Sequence, residues 1–226
     1  RAVSAAKPKV ADYPFTTLVP NLGVVDIDRH RSFVMADIPG LIEGAAEGAG
    51  LGVRFLKHLA RTRILLHLVD VQPIDGSDPA RNARVIMDEL VRFSPALSEL
   101  PMLLVLNKLD QIPAEQHNAL CTHIVAELGW TGPVFRTSGL TSEGTRAVVY
   151  HLMDQIEEER ELELEDPDFA EMIKSRRAKL EQETRENSLA LQEAQRAARR
   201  AARLGLDDEE DDDWDDNDGP EVIYAR

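Results

Sequence analysis

Four short runs of aliphatic and β-branched residues punctuate the first two thirds of the chain, at 33–36, 64–71, 102–106 and 134–136. Runs of that length and composition predict buried strands. Longer mixed stretches at about 51–61, 80–93, 114–128 and 143–158 predict helices. Strands alternating with helices imply an α/β fold with a mainly parallel sheet and helices on both faces. In such sheets ligands bind beyond the carboxyl ends of the strands. Three of the four runs end there in polar punctuation: Asp37-Ile38-Pro39-Gly40, Asn107-Lys108-Leu109-Asp110 and Thr137-Ser138-Gly139.

The pattern changes after about residue 158. A charged segment at 161–167 ends in a proline and reads as a linker. Residues 169–204 are rich in Ala, Glu, Arg, Gln and Leu, which favour a helix. Their apolar periodicity is weak, so this helix is expected to pack on little. Residues 207–218 carry ten acidic side chains and are expected to be disordered by self-repulsion. The expected organisation is therefore a folded domain over 1–158, a linker and helical extension over 159–206, and an acidic tail over 207–226.

Charge and composition refine this picture. Of the formal net charge of −15, −10 lies in residues 207–226, so the remainder is only mildly acidic. That argues against broad nonspecific nucleic-acid binding. A hydrophobic content of 43% can build a core. The single cysteine, Cys121, allows no intrachain disulfide and fits a reducing compartment. No apolar run approaches a membrane span, and no signal peptide opens the chain. The chain begins at Arg1 without an initiator Met, as expected of a fragment.

The strand ends carry the candidate chemistry. After the apolar run 102–106, the carboxylate of Asp110 can accept two hydrogen bonds from the N1–H and N2–H₂ edge of guanine. Adenine offers no such pair, and a site built around Asp110 rejects it. Asn107 can bond the far edge of the base, and the stem of Lys108 can lie over the ring. The bland alternative is a polar turn. Asp37 can hold Mg²⁺ through a water, and the backbone N–H of Gly40 can approach a γ-phosphate. Taken alone, Asp-x-Pro-Gly is a common turn. In Tyr13-Pro-Phe-Thr-Thr-Leu-Val-Pro20, a threonine can offer its hydroxyl to Mg²⁺ and its N–H to the γ-phosphate, as in a switch loop. The alternative is an extended segment with threonines chosen for β propensity. Backbone N–H groups in Ser138-Gly139-Leu140 can contact the guanine carbonyl, although in isolation a plain strand-to-helix turn is the better reading.

These four segments in this order resemble a translation-factor-class GTPase. The longer runs Ala11-Asp-Tyr-Pro-Phe-Thr-Thr-Leu-Val-Pro-Asn-Leu-Gly23 and Asp37-Ile-Pro-Gly-Leu-Ile-Glu-Gly-Ala-Ala-Glu-Gly-Ala-Gly-Leu-Gly52 resemble the Obg family specifically, over roughly residues 1–156. The resemblance implies a cytoplasmic, Mg²⁺-dependent GTPase, monomeric and without a membrane span. It would act as a switch in assembly of the large ribosomal subunit, with rRNA and ribosomal proteins as partners. It implies nucleotide contacts at Phe15, Thr16, Thr17, Leu18 and Val19, at Asp37, Ile38, Pro39 and Gly40, at Asn107, Lys108, Leu109 and Asp110, and at Ser138, Gly139 and Leu140. Thr17 would bind Mg²⁺ directly and Asp37 through water, with Thr17 and Gly40 at the reacting phosphate. An acidic tail also resembles some family members.

The chain departs from the family's pattern in places. Many members have Ser-Ala where this chain has Ser138-Gly139. The motif Gly-x-x-x-x-Gly-Lys-Ser/Thr occurs nowhere in the sequence, nor does a glycine-rich domain. Gly44, Gly48, Gly50 and Gly52 have the wrong spacing to replace that loop, and are expected to give a rearranging loop its freedom. Leu41 stands where many small GTPases carry a water-orienting glutamine, which predicts slow intrinsic hydrolysis. The basic clusters at 174–179 and 196–203 read as an RNA-facing patch or, given the interleaved glutamates, as a solvated helix. The alternative function is a catalytically incompetent fragment or interaction module that binds a ribosomal partner through its helix and acidic tail.

Overall fold

In the computed structural model the described residues are 2–5, 21–37 and 61–206. Residues 51–60 of the predicted helix, the acidic tail, and the candidate residues Phe15 to Val19 and Ile38 to Gly40 lie outside them, as do Leu41, Gly44, Gly48, Gly50 and Gly52.

The first elements are two strands, β1 (Asn21–Asp26) and β2 (Ser32–Asp37), paired antiparallel with Val24 opposite Val34. Asp28 closes their turn by accepting from the His30 backbone N–H and from the side chain and backbone N–H of Arg31, and these bonds hold its carboxyl below the usual range. Strand β1 is absent from the sequence-based reading. Its run is short and is broken by Gly23 and Asp26, which read as loop.

A second sheet holds β3 (Leu65–Asp70), β4 (Met102–Asn107) and β5 (Val134–Arg136), all parallel, in the order β3-β4-β5. Alternate residues of β4 face opposite sides. Leu104 and Leu106 pack with Val69, Ala83, Cys121 and Ile124, under helices α1 (Pro79–Phe93) and α3 (Ala114–Leu128). Leu103 and Val105 pack with Val148 and Leu152 of α4 (Thr145–Glu165), and Phe33 and Met35 of β2 join that side. Helices therefore cover both faces, as a parallel sheet requires. Burial at both faces also explains why β4 is a continuous apolar run.

Local signals set the helix ends. Asp78 accepts from the Arg81 N–H at 2.7 Å and Pro79 opens α1, a usual N-cap arrangement. Gly129, at φ 61°, ends α3 in the left-handed region that glycine enters without penalty. Ser94 ends α1 and caps the one-turn helix α2 (Pro95–Ser98) by accepting from the Leu97 N–H at 3.2 Å.

The structure corrects two expectations about the C-terminal part. First, 161–165 is not a linker: α4 runs unbroken to Glu165, because its leucines and glutamates favour helix and no breaker precedes Pro167. Asp166 then accepts from the N–H groups of Asp168 and Phe169 and starts α5 (Pro167–Leu206). Second, α5 does pack. Ile173, Leu180, Thr184 and Ser188 are buried at helical spacing. Leu180 fits among Leu65, Leu90, Ala96, Leu97 and Leu100. Glu183 accepts from the Ser94 hydroxyl at 2.7 Å and the Ala96 N–H at 3.0 Å. The seam uses few large apolar residues, so a periodicity count underrates it. The first basic cluster is likewise engaged: Arg176 reaches Glu159, Arg177 reaches Glu163 and Lys179 reaches Glu99. Among the described residues no helix is long and apolar enough to cross a membrane.

Candidate nucleotide-binding site

The carboxyl ends of β4 and β5 lie side by side, and the polar residues beyond them interlock. The Asn107 Oδ1 accepts from the Gly139 backbone N–H at 2.9 Å and from the Thr137 hydroxyl at 3.2 Å. The Ser138 hydroxyl donates to Asp110 Oδ1 at 2.5 Å and itself accepts from the Thr141 N–H at 3.0 Å. The Leu109 N–H donates to the Thr137 carbonyl at 3.2 Å. Two loops distant in sequence are thereby fixed as one rigid ledge, which is the preorganisation a binding site needs.

Asp110 is exposed at this ledge. A carboxylate has about four acceptor positions. One is taken by Ser138, so the group can still accept a pair of donors from a planar ligand edge. Lys108 adopts φ 70°, ψ 31°, a left-handed conformation uncommon for a non-glycine residue and often found at functional sites. Its ammonium lies 2.6 Å from Asp70 Oδ2. Leu109 turns inward: its side chain is buried in the core under α3, so only its backbone faces the ledge. Leu140 is 84% exposed and offers an apolar surface beside the loop.

A β-carbon added at Gly139 would lie 3.6 Å from Asn107 Oδ1, an ordinary contact. Alanine therefore fits, and the glycine in place of the more usual alanine keeps the same N–H in the same place. Gly144 is different. It has φ 70°, and a β-carbon there would sit 2.0 Å from the Arg136 carbonyl oxygen. The neighbouring Glu143 carbonyl accepts from the Ser138 N–H at 3.0 Å, so strain at Gly144 reaches the ledge directly. Gly144→Ala is expected to destabilise the domain by about 2–4 kcal/mol, from the left-handed backbone and the clash together. Chemical denaturation checks this; a loss under about 0.5 kcal/mol, the range of ordinary surface substitutions, would show that the turn relaxes freely.

Asp37 closes β2 and is exposed. Mg²⁺ bound with phosphates needs only one or two protein carboxylates or hydroxyls and keeps several waters. A single solvent-facing carboxylate at a strand end fits that donor set. Thr17, Gly40 and the rest of their segments lie outside the described residues.

Sequence reasoning missed three contributors. Thr137 reads in the sequence as punctuation, yet its hydroxyl ties the loop to Asn107. Gly144 lies before a helix, where glycine carries no strong signal. Asp70 was hidden because the strand was drawn through to Val71. Ended at its last paired residue, that strand shows the same polar terminus as the others.

The His67 ring is buried on the α1 side of β3, with Nε2 3.2 Å from the Ala83 carbonyl oxygen. Burial pushes its pKa down, which favours a neutral ring donating that bond. Its role is in the core rather than at the ledge.

The model of a family described as 50S ribosome-binding GTPase matches residues 1–108. GTPase Obg of Psychrobacter sp. (strain PRwf-1) is 67% identical over 226 residues, all of this chain and 56% of that protein. The chain thus spans about half the length of this curated relative. Among solved structures, translation elongation factor SelB from Methanococcus maripaludis, in complex with the GTP analogue GppNHp, is 12% identical with a TM-score of 0.45, covering 64% of this chain and 29% of that one. A nucleolar GTP-binding protein 1 from Plasmodium falciparum is 14% identical with a TM-score of 0.43, covering 67% and 78%. At 67% identity to GTPase Obg over all of its 226 residues, the chain belongs to the Obg family.

Proposed function

We propose that the protein is a GTP-binding and GTP-hydrolysing switch that works with Mg²⁺ on the large ribosomal subunit in the cytoplasm. The observation that carries this reading is the ledge at which Asp110, Asn107 and the Ser138 loop are locked together. Its exposed carboxylate suits the paired donors of guanine and repels the acceptor edge of adenine. The name of the matched family, 50S ribosome-binding GTPase, supports the ribosomal partner.

In this reading Asp110 reads the base and Asn107 holds the two loops in register. The Ser138 and Gly139 N–H groups are taken by the Glu143 carbonyl and Asn107 Oδ1, which leaves the Leu140 N–H to meet the guanine carbonyl. Asp37 would orient a water of the Mg²⁺ shell, and Thr17 would contribute its hydroxyl. The bound ion supplies charge neutralisation at the β- and γ-phosphates. Thr17 and the Gly40 N–H sense the γ-phosphate, and hydrolysis releases them. Leu41 cannot orient a water by hydrogen bonding, so slow intrinsic turnover is expected.

The alternative of a non-catalytic docking module is weaker. The first basic cluster of α5 faces acidic residues of its own chain, so it is not free to act as an RNA-binding patch.

Thr17→Ala in the full-length protein tests the switch. Hydrolysis is expected to fall at least about tenfold, in the range of a lost transition-state contact, and GTP-dependent co-sedimentation with large subunits to be lost. GDP affinity should stay within about threefold, because the contact exists only with the γ-phosphate. Equal weakening of GDP and GTP would show Thr17 to be structural.

A further inference from the structure

The left-handed residue on the ledge has a partner that no strand-end motif includes. Asp70 is the last residue of β3 and lies in register opposite Asn107 of β4. Its Oδ1 accepts from the Gln72 N–H at 3.0 Å, and its Oδ2 lies 2.6 Å from the Lys108 ammonium. The Val71 N–H donates to the Asn107 carbonyl at 3.1 Å, so the backbone carrying Asp70 is tied to the ledge as well. The two side chains are 32% and 37% exposed, partly shielded from solvent.

A rim ion pair contributes little to stability by itself. This one restrains a long side chain whose backbone is already in an uncommon conformation. Lysine has four rotatable side-chain bonds and loses much freedom when it is ordered against a ligand. A carboxylate that holds the tip before the ligand arrives removes much of that cost from binding.

Building on the guanine site proposed above, we propose that Asp70 is its positioning residue. Its carboxylate fixes the Lys108 stem as one wall of the base-binding ledge, and this sets how long a guanine nucleotide stays bound. Asp70 touches neither base nor phosphate; it acts through Lys108.

The test is a double-mutant cycle in the full-length protein. Asp70→Asn keeps the shape and removes the charge, while Lys108→Met keeps the stem and removes the ammonium. Dissociation of a fluorescent GDP analogue is followed for the wild type, each single variant and the double variant. Each single substitution is expected to speed dissociation about fivefold, and the double variant to stay within about twofold of either, the signature of a coupled pair. Asp70→Glu, which keeps the charge, should recover part of the slow dissociation. A merely structural Asp70 would lower thermal stability and multiply with Lys108→Met instead. An unchanged dissociation rate in Asp70→Asn, or multiplicative effects in the double variant, overturns the proposal while guanine selectivity stands. A wild type that binds ADP as well as GDP overturns the guanine site and this proposal with it.

Discussion

Replacing Asp110 by asparagine is expected to turn the preference for GTP proposed above into a preference for XTP. Guanine presents two donors, N1–H and N2–H₂, to the carboxylate. Asparagine presents one acceptor and one donor, so its amide meets the guanine amino group donor to donor. Xanthine carries a carbonyl oxygen where guanine has that amino group, and pairs with asparagine on both positions. The same carbonyl faces the wild-type carboxylate lone pair to lone pair, so the wild type should reject xanthine. Sites that hydrogen-bond a ligand group discriminate strongly, because the unmatched polar group is left buried and unpaired. GTP affinity is therefore expected to fall at least about 100-fold and XTP affinity to rise by a comparable factor. The ledge should survive. Ser138 donates to Asp110 Oδ1, and asparagine retains an oxygen able to accept that bond. Competition of GTP and XTP for the variant checks the result; a retained preference for GTP would remove Asp110 from the base-reading role.

The second large effect concerns the 226-residue chain by itself. It is expected to bind GDP at least about 100-fold more weakly than the same chain extended by a phosphate-binding segment. The described ledge recognises a base, but the greater part of the ligand's charge is on its phosphates. Phosphates are held by a nest of backbone N–H groups at a helix N-terminus with a lysine, and this sequence contains no Gly-x-x-x-x-Gly-Lys-Ser/Thr segment to supply them. Titration of both with a fluorescent GDP analogue decides the matter. Micromolar binding by the short chain would mean that another of its segments cradles the phosphates.

Much of this architecture was legible in the sequence, for identifiable reasons. Strand β4 and helix α3 were read at nearly their true bounds, because a run of five apolar residues and a proline-to-glycine helix carry strong local signals. The polar letters of the ledge were legible, because they stand directly after apolar strand runs. Its rigidity was not. The bonds from Gly139 and Thr137 to Asn107 join residues about 30 positions apart, and no local pattern encodes them. Strand β1 was missed because its glycine and terminal aspartate weaken β propensity, and cross-strand pairing with β2 overrides that. The docking of α5 was missed because its seam uses Thr184, Ser188 and Glu183 alongside Ile173 and Leu180. Small and charged residues make good contacts there without raising apolar periodicity.

The most direct test of the central claim is equilibrium competition on the wild-type full-length protein. A bound fluorescent GDP analogue is displaced in turn by GDP, XDP and ADP, with Mg²⁺ present. The guanine-edge assignment predicts displacement by GDP at concentrations at least about 100-fold below those needed for XDP or ADP. ADP displacing as readily as GDP would contradict it, because a ledge built on Asp110, Asn107 and Ser138 has no means of welcoming adenine equally.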